Sequence, residues 1–169
     1  MQPLHALLAP ALPALQSDAL PPAVLFLDFD GVLQTPALDD WREMEHCALL
    51  EALLMEFPEL NVVVTSTHRE LRTVADVQGL LPDAVGRRVV GLTDVPAMGR
   101  ANGGRQAEIE AWLRSHPSVQ RWVAVDDERR LYREGCPWLV LTHPYVGWDE
   151  QTSDAVRRLA SIERVPNRF

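Results

Sequence analysis

Two aspartates, Asp28 and Asp30, stand two positions apart at the end of the apolar run Ala23-Val24-Leu25-Phe26-Leu27, and Gly31 follows them at once. The run reads as a buried strand whose C-terminal end opens into a tight turn, and such strand ends are where an open α/β sheet binds its ligands. Carboxylates crowded at one place repel one another and lose solvation, so a divalent cation or a proton must join them. The same Asp-Gly pair between apolar runs also fits a hairpin turn of type I′. Residues farther along separate the two readings. Thr65 and Ser66 close the β-branched run Asn61-Val62-Val63-Val64, and Asp126 and Asp127 close Arg121-Trp122-Val123-Ala124-Val125. Singly, the hydroxyls and the Asp pair have duller roles as helix caps. Acid, hydroxyl, cation and acid at successive strand ends form a constellation only if the strands run parallel.

The rest of the chain supplies that condition. A loop containing Pro36 leads to a helix expected from Trp41 to about Phe57, capped by Asp39 or Asp40, with Met44, Ala48, Leu49, Ala52, Leu53 and Met55 as its apolar face. A second helix is expected from about Glu70 to Leu80, with Leu71, Val74 and Ala75 inward, and a strand at Arg88–Thr93. Arg105–His116 reads as a helix carrying Ala107, Ile109, Trp112 and Leu113 at helical spacings. A short helix around Glu128–Glu134, a strand at Trp138–Thr142 and a helix from about Thr152 to Ile162 complete the chain. Strands alternating with helices make a parallel sheet covered on both faces. The expectation is an α/β fold: a three-layer, Rossmann-like parallel sheet of about five strands with helices on both faces. Residues 1–22 read as an N-terminal extension and residues 23–169 as one domain.

Composition narrows the chemistry further. With 169 residues, 47% hydrophobic and 24% charged, the chain suits one globular domain. Its net charge of −8 and acidic balance provide no global field toward nucleic acid or an anionic membrane, so any phosphate binding must be local. All 16 basic residues are arginines. Where a mechanism needs a cation, arginine or a metal must supply it. Cys47 and Cys136 have no metal-ligand spacing, and the five histidines show no paired i, i+4 arrangement. Two cysteines in a chain this long make no disulfide framework, and a reducing cytoplasmic setting is the expectation. No apolar run approaches the roughly 20 residues of a membrane span. The stretch MQPLHALLAPALPALQ lacks Lys or Arg ahead of its apolar part and is broken by Pro3, Pro10 and Pro13, which argues against a signal peptide.

The segments LFLDFDGVLQ, VVVTST, RQAEIEAWL and VAVDDE together resemble the four motifs of the haloacid-dehalogenase superfamily, whose members are mostly magnesium-dependent phosphatases with an aspartate nucleophile. THR after the second motif, RQAEIEAWL and the late GWDEQTSDAVRRL are similar to a smaller group within it, the phosphatase-like domain of some RNA-repair proteins. The resemblance covers about Val24 to Leu159. It implies that Asp28 attacks phosphorus and that Asp30 serves as general acid and base while its backbone carbonyl touches the metal. It implies Mg²⁺ held by Asp28, Asp30 and the Asp126-Asp127 pair, with Asp127 favoured as the direct ligand because it begins the loop over the sheet edge. Thr65 and Ser66 would hold a phosphate oxygen. The third motif normally carries lysine; here Arg105 matches the position, with Arg100 as the substitute.

Only 34 residues, 31 to 64, separate Asp30 from Thr65, and the expected helix uses most of them, so no separate cap domain fits. An uncapped cleft admits large substrates, and the expected partner is a phosphorylated molecule such as a nucleic-acid end or a protein, with no membrane. Oligomeric state is not readable. A receiver-like regulatory domain would carry its acidic pair adjacent at the first strand and a lysine at the last, which this chain does not. The stronger alternative is an inactive relative that binds phosphate without turning it over, motivated by the missing lysine.

Overall fold

A computed structural model describes residues 23–36, 46–95 and 103–162. The expected extension at residues 1–22, the start of the first helix with its Asp39 or Asp40 cap, and Arg100 lie outside the described residues. Five strands form one sheet: β1 (Ala23–Leu27), β2 (Leu60–Val64), β3 (Val89–Leu92), β4 (Arg121–Asp126) and β5 (Leu139–Leu141). Their order is β3-β2-β1-β4-β5 and every pairing is parallel. The Asp30-Gly31 turn is therefore no hairpin. Gly31 does adopt φ +68°, but the chain leaves the sheet there and returns through a helix.

Alternation along β1 sorts the two cores, since successive side chains of a strand face opposite sides of its sheet. Ala23, Leu25 and Leu27 join Leu50, Leu53, Val77, Val85 and Val156 on one face, beneath α1 (Cys47–Glu56), α2 (Val74–Gln78), α3 (Asp83–Gly86) and α5 (Glu150–Ala160). Val24 and Phe26 join Ile109 and Leu113 of α4 (Gly104–Ser115) on the other. There the Phe26 ring meets Trp112 and Trp122 edge-on, at centroid distances of 5.5 and 5.9 Å. A buried aromatic pair in that geometry adds about 1 kcal/mol beyond its area. Helices thus cover both faces, as the expected α/β fold requires.

Three expectations need correction. The helix at Glu70–Leu80 is instead a single 3₁₀ turn, Thr67–Arg69, followed by an extended stretch and the short α2. Thr73 and Asp76 form a reciprocal capping box that restarts the helix, and Leu71, expected inward, is fully exposed at φ +62°. On α1 the buried stripe is Cys47, Leu50, Leu53 and Leu54, while Ala48, Ala52 and Met55 face solvent. On α4, Ala107 is exposed whereas Arg105, Gln106, Glu108 and Glu110 are buried. That helix packs its charged residues inward because arginines and strand-end acids await them.

Candidate active site

Strand register assembles the site. Leu27 pairs with Val64 on one side and with Val125 on the other. One residue beyond each, Asp28, Thr65 and Asp126 therefore stand side by side at the C-terminal edge. Two further backbone bonds extend the ladder to that point, Asp28 N–H to Val125 O at 3.1 Å and Thr65 N–H to Leu27 O at 2.9 Å. Strand order reverses between β1 and β4, and open α/β sheets bind ligands at such a switch point.

Arg105, from the first turn of α4, reaches this row with its guanidinium buried. Its Nη1 donates to Thr65 Oγ1 and to Asp126 Oδ2, both at 3.0 Å, and lies 3.5 Å from Asp28 Oδ1. Burial works against its charge, yet Asp28 and Asp126 outweigh that and hold its pKa above the ordinary arginine value. Asp126 is enclosed: besides Arg105, its Oδ2 accepts from the Tyr132 hydroxyl at 3.0 Å and its Oδ1 from the Glu128 N–H at 2.8 Å. Burial, and after it the Asp28 charge, pushes Asp126 up to about 7. Burial raises the Tyr132 hydroxyl well above its ordinary value as well, which keeps it a donor.

Asp127 completes the acidic group. Ligand oxygens of Asp28, Asp126 and Asp127 lie within 4.8 Å of one another. Asp127 is less buried than Asp126, and its pKa is raised, chiefly by burial and next by Asp28. A side chain on Gly31 would place its Cβ 2.2 Å from Asp127 Oδ2, so glycine is required there both by the positive φ and by the carboxylate beside it. Three converging carboxylates, hard oxygen donors throughout, fit a divalent cation such as Mg²⁺. Both oxygens of Asp126 already accept hydrogen bonds, so Asp28 and Asp127 could hold such an ion with Asp126 behind them.

Asp30 takes a different place. Its carboxylate is more than half exposed and outside the three-acid group, facing His68 Nε2 at 3.4 Å. The hydrogen bond to His68 lowers the Asp30 pKa and raises that of His68. Ser66 is fully buried and its hydroxyl accepts from the His68 N–H at 3.3 Å, which starts the 3₁₀ turn. The structure thus brings Asp28, Thr65, Arg105, Asp126 and Asp127 together, with Ser66 behind them and Asp30 at the rim.

Sequence reasoning missed Tyr132, His68, Arg69 and Glu108. The motif THR was a signal for the middle two; Tyr132 and Glu108 had none, being a lone aromatic and an ordinary helix acid. A cavity of about 690 Å³ between β5 and α5 begins at Thr142, but no residue of the carboxylate group lines it, and its one acid, Asp149, is committed to capping α5. Thr142 itself donates to Gly31 O at 2.8 Å, and Trp148 N–H to Val32 O at 2.7 Å, which fixes the loop after Asp30 from the β5 side.

Comparison with known proteins decides the family. The profile described as the HAD domain in Swiss Army Knife RNA repair proteins matches residues 24–152. The chain belongs to this family. No curated protein and no solved structure matches it. The HAD-domain profile spans all four motif segments and the sheet that carries them, from β1 to the first turn of α5. Among the described residues, no helix is long and apolar enough to cross a membrane.

Proposed function

We propose that this HAD domain is a Mg²⁺-dependent phosphomonoesterase acting through an aspartyl phosphate. The observation that carries the reading is the in-register row Asp28, Thr65 and Asp126 with Arg105 set against it. Asp28 attacks phosphorus, and its bond to phosphorus forms as the ester P–O bond breaks. Asp30, exposed at the rim, gives that oxygen a proton. It then takes one from the water that attacks the aspartyl phosphate and frees Asp28. Thr65 and Arg105 donate to phosphate oxygens and hold their charge in place, and the Ser66 amide supports them. Asp28 and Asp127, backed by Asp126 and, as the resemblance implies, joined by the Asp30 carbonyl, would hold Mg²⁺, which when bound supplies the positive charge that lets one anion attack another.

The substrate reading follows from openness. The 34 residues between Asp30 and Thr65 leave no room for a cap, so a terminal phosphate on a large molecule can enter. The family's description as a domain of RNA repair proteins favours a nucleic-acid end. With a charge of −8, the domain would grip the phosphate rather than the polymer. A cytoplasmic setting accords with the free Cys47, whose thiol burial pushes up to about 12.

One observation favours a second reading. Arg105 is already bonded to Thr65 and Asp126, so the site could hold phosphate without turnover. Hydrolysis of an aryl phosphate with Mg²⁺ separates the two. Wild type should turn over, and Asp28→Asn should lose activity by about 10⁴-fold or more with its fold retained. Phosphate binding without any hydrolysis in wild type would favour the inactive relative.

A further inference from the structure

The cavity of about 690 Å³ between β5 and α5 takes no part in the chemistry proposed above, yet its upper end lies on the same edge of the sheet. Thr142, which lines that end, follows β5 directly and donates to Gly31 O at 2.8 Å, and Gly31 in turn is packed against Asp127. Only β4 stands between β1 and β5, so two strand spacings, about 10 Å, separate the end that carries Asp28 from Thr142. A sugar and its base, attached to a phosphate on Asp28, would cross that gap.

The cavity has the size of a small-molecule cleft, and its walls differ in kind. On α5, Gln151, Ala155 and Arg158 fall at i, i+4 and i+7 and present one stripe to it. Ala155 leaves room in the middle, while the Gln151 and Arg158 side chains are exposed and have no hydrogen-bond or ion-pair partner among the described residues. At the mouth stand two aromatic rings, His143, which lines it, and Tyr145, which is 70% exposed, with centroids 5.9 Å apart. Their loop is braced: the Tyr145 N–H donates to His143 Nδ1 at 3.3 Å, and the Val146 and Gly147 N–H groups both donate to His143 O at 2.9 Å. A lone exposed tyrosine would mean nothing. This one adjoins a cavity, an unused amide and a spare cation, and an exposed ring on a braced turn is a ready stacking surface for a flat base. We propose that the cleft is a nucleoside subsite. With the terminal phosphate of a nucleic-acid strand on Asp28, the nucleoside that bears it lies over Thr142, its base against Tyr145 and His143 and within reach of the Gln151 amide. Arg158, about 10 Å farther along the helix, meets the next phosphate of the strand. A phosphopeptide fits less well, since β5 has only three residues for it to pair with.

The inference rests on the phosphatase reading, so turnover and binding are read separately on the full chain in Mg²⁺. The probes are dinucleotide RNAs phosphorylated at the 5′ or the 3′ end, each with its terminal base and as the abasic counterpart, with a phosphoserine peptide and inorganic phosphate as comparisons. Wild type should favour the base-bearing RNA of one polarity over its abasic counterpart by about tenfold or more in kcat/KM. Tyr145→Ala, in an exposed loop, and Ala155→Leu, which fills the middle of the cavity, should each bring that ratio below about threefold through KM, while kcat/KM for the abasic RNA and Kd for inorganic phosphate stay within about twofold of wild type. Arg158→Ala should weaken both RNAs alike and flatten the salt dependence of KM. A merely structural loop predicts instead equal losses on base-bearing and abasic probes in Tyr145→Ala, with inorganic phosphate weakened as well. That result, a wild-type ratio near one, or a preference for the phosphopeptide overturns the inference. If wild type hydrolyses none of the probes, the phosphatase fails, and calorimetric Kd values for the same RNA pair decide the subsite: a base-dependent affinity lost in Tyr145→Ala upholds it, and equal affinities refute it.

Discussion

Strand β4 has a buried arginine at each end. Arg121, its first residue, donates to Ala160 O at 2.7 Å and to Glu59 Oε1 at 3.2 Å, tying the strand to the end of α5 and to the turn before β2. At its last residue, Asp126, the arginine is Arg105 from α4, standing also beside Asp28, Thr65 and Glu108. Both guanidinium groups are at most 3% exposed. Burial therefore does not distinguish the cation for which we propose a chemical task from the one that fastens elements together. What does is the company: one end joins a helix carbonyl and a partly exposed acid, whereas the other crowds carboxylates that a single cation cannot neutralise.

Exchanging the two arginines' fates is the widest way to test that contrast. Arg105→Ala should cost about 10²-fold or more in kcat/KM, with Arg105→Lys recovering part if a point charge suffices. Arg121→Met should leave kcat unchanged in the folded protein but lose about 3 kcal/mol, since it strands Glu59 and a helix-end carbonyl. Turnover and urea denaturation, measured on both, decide it. A stability loss for Arg105→Ala matching that of Arg121→Met, without an activity loss, would erase the distinction.

A narrower test uses pH and concerns the carboxylate-rich end alone. Asp126 is pushed from 3.8 to about 7, chiefly by burial. Between those values the folded protein keeps a proton that the unfolded chain has released, so metal-free stability should fall as pH rises from about 4 to 7. An ion held between Asp28 and Asp127 would favour the ionised form of Asp126 behind them. The apparent Mg²⁺ affinity should therefore climb with pH, by up to about tenfold per unit below 7, and level off above. Thermal-shift titrations with Mg²⁺ at pH 5.5 and 8 check the trend; stronger stabilisation at pH 5.5 would place the metal elsewhere.

The smallest effect belongs to α5, which runs from the site edge to Arg121. Its N-terminus is capped by Asp149, whose Oδ1 accepts from the Thr152 N–H and hydroxyl, both at 2.8 Å. Burial pushes this carboxyl up, but the Thr152 donors outweigh it and hold the pKa below 3.8. Asp149→Ala should cost about 1 kcal/mol at neutral pH. Because a lowered carboxyl stabilises only above its unfolded value, the gap between variant and wild type should close as pH falls through the folded value. Paired melts at pH 7 and 2.5 measure it, with kcat unaffected.

Much of this arrangement was legible in the residues. The apolar runs ending in Asp28, Thr65 and Asp126 announced both the parallel sheet and its chemical edge, because a run buried on both faces must stop where polar groups begin. The Thr73-x-x-Asp76 spacing also announced a helix start, overlooked under the apolar pattern of Leu71 and Val74. Glu108 and Glu110 were not legible. A helix periodicity predicts that acids face water, and it is reversed here by Arg69 and Arg133, which come from distant positions to meet them. Such pairings are decided by tertiary contact and leave no local trace.

If Arg105 serves the proposed phosphatase where its relatives use lysine, that changes which reagents and conditions the site can feel. A lysine ammonium can be neutralised by moderate alkali, acylated, or condensed with an aldehyde, and an enzyme relying on one inherits those sensitivities. A guanidinium held above its ordinary pKa stays charged throughout the alkaline range. Under the proposed mechanism, a decline of activity at high pH would then originate in the nucleophile's surroundings or the ion, and amine-directed labels should leave turnover intact. Arginine-selective dicarbonyls would be the effective poisons, and a phosphate seated against Arg105 would shield it.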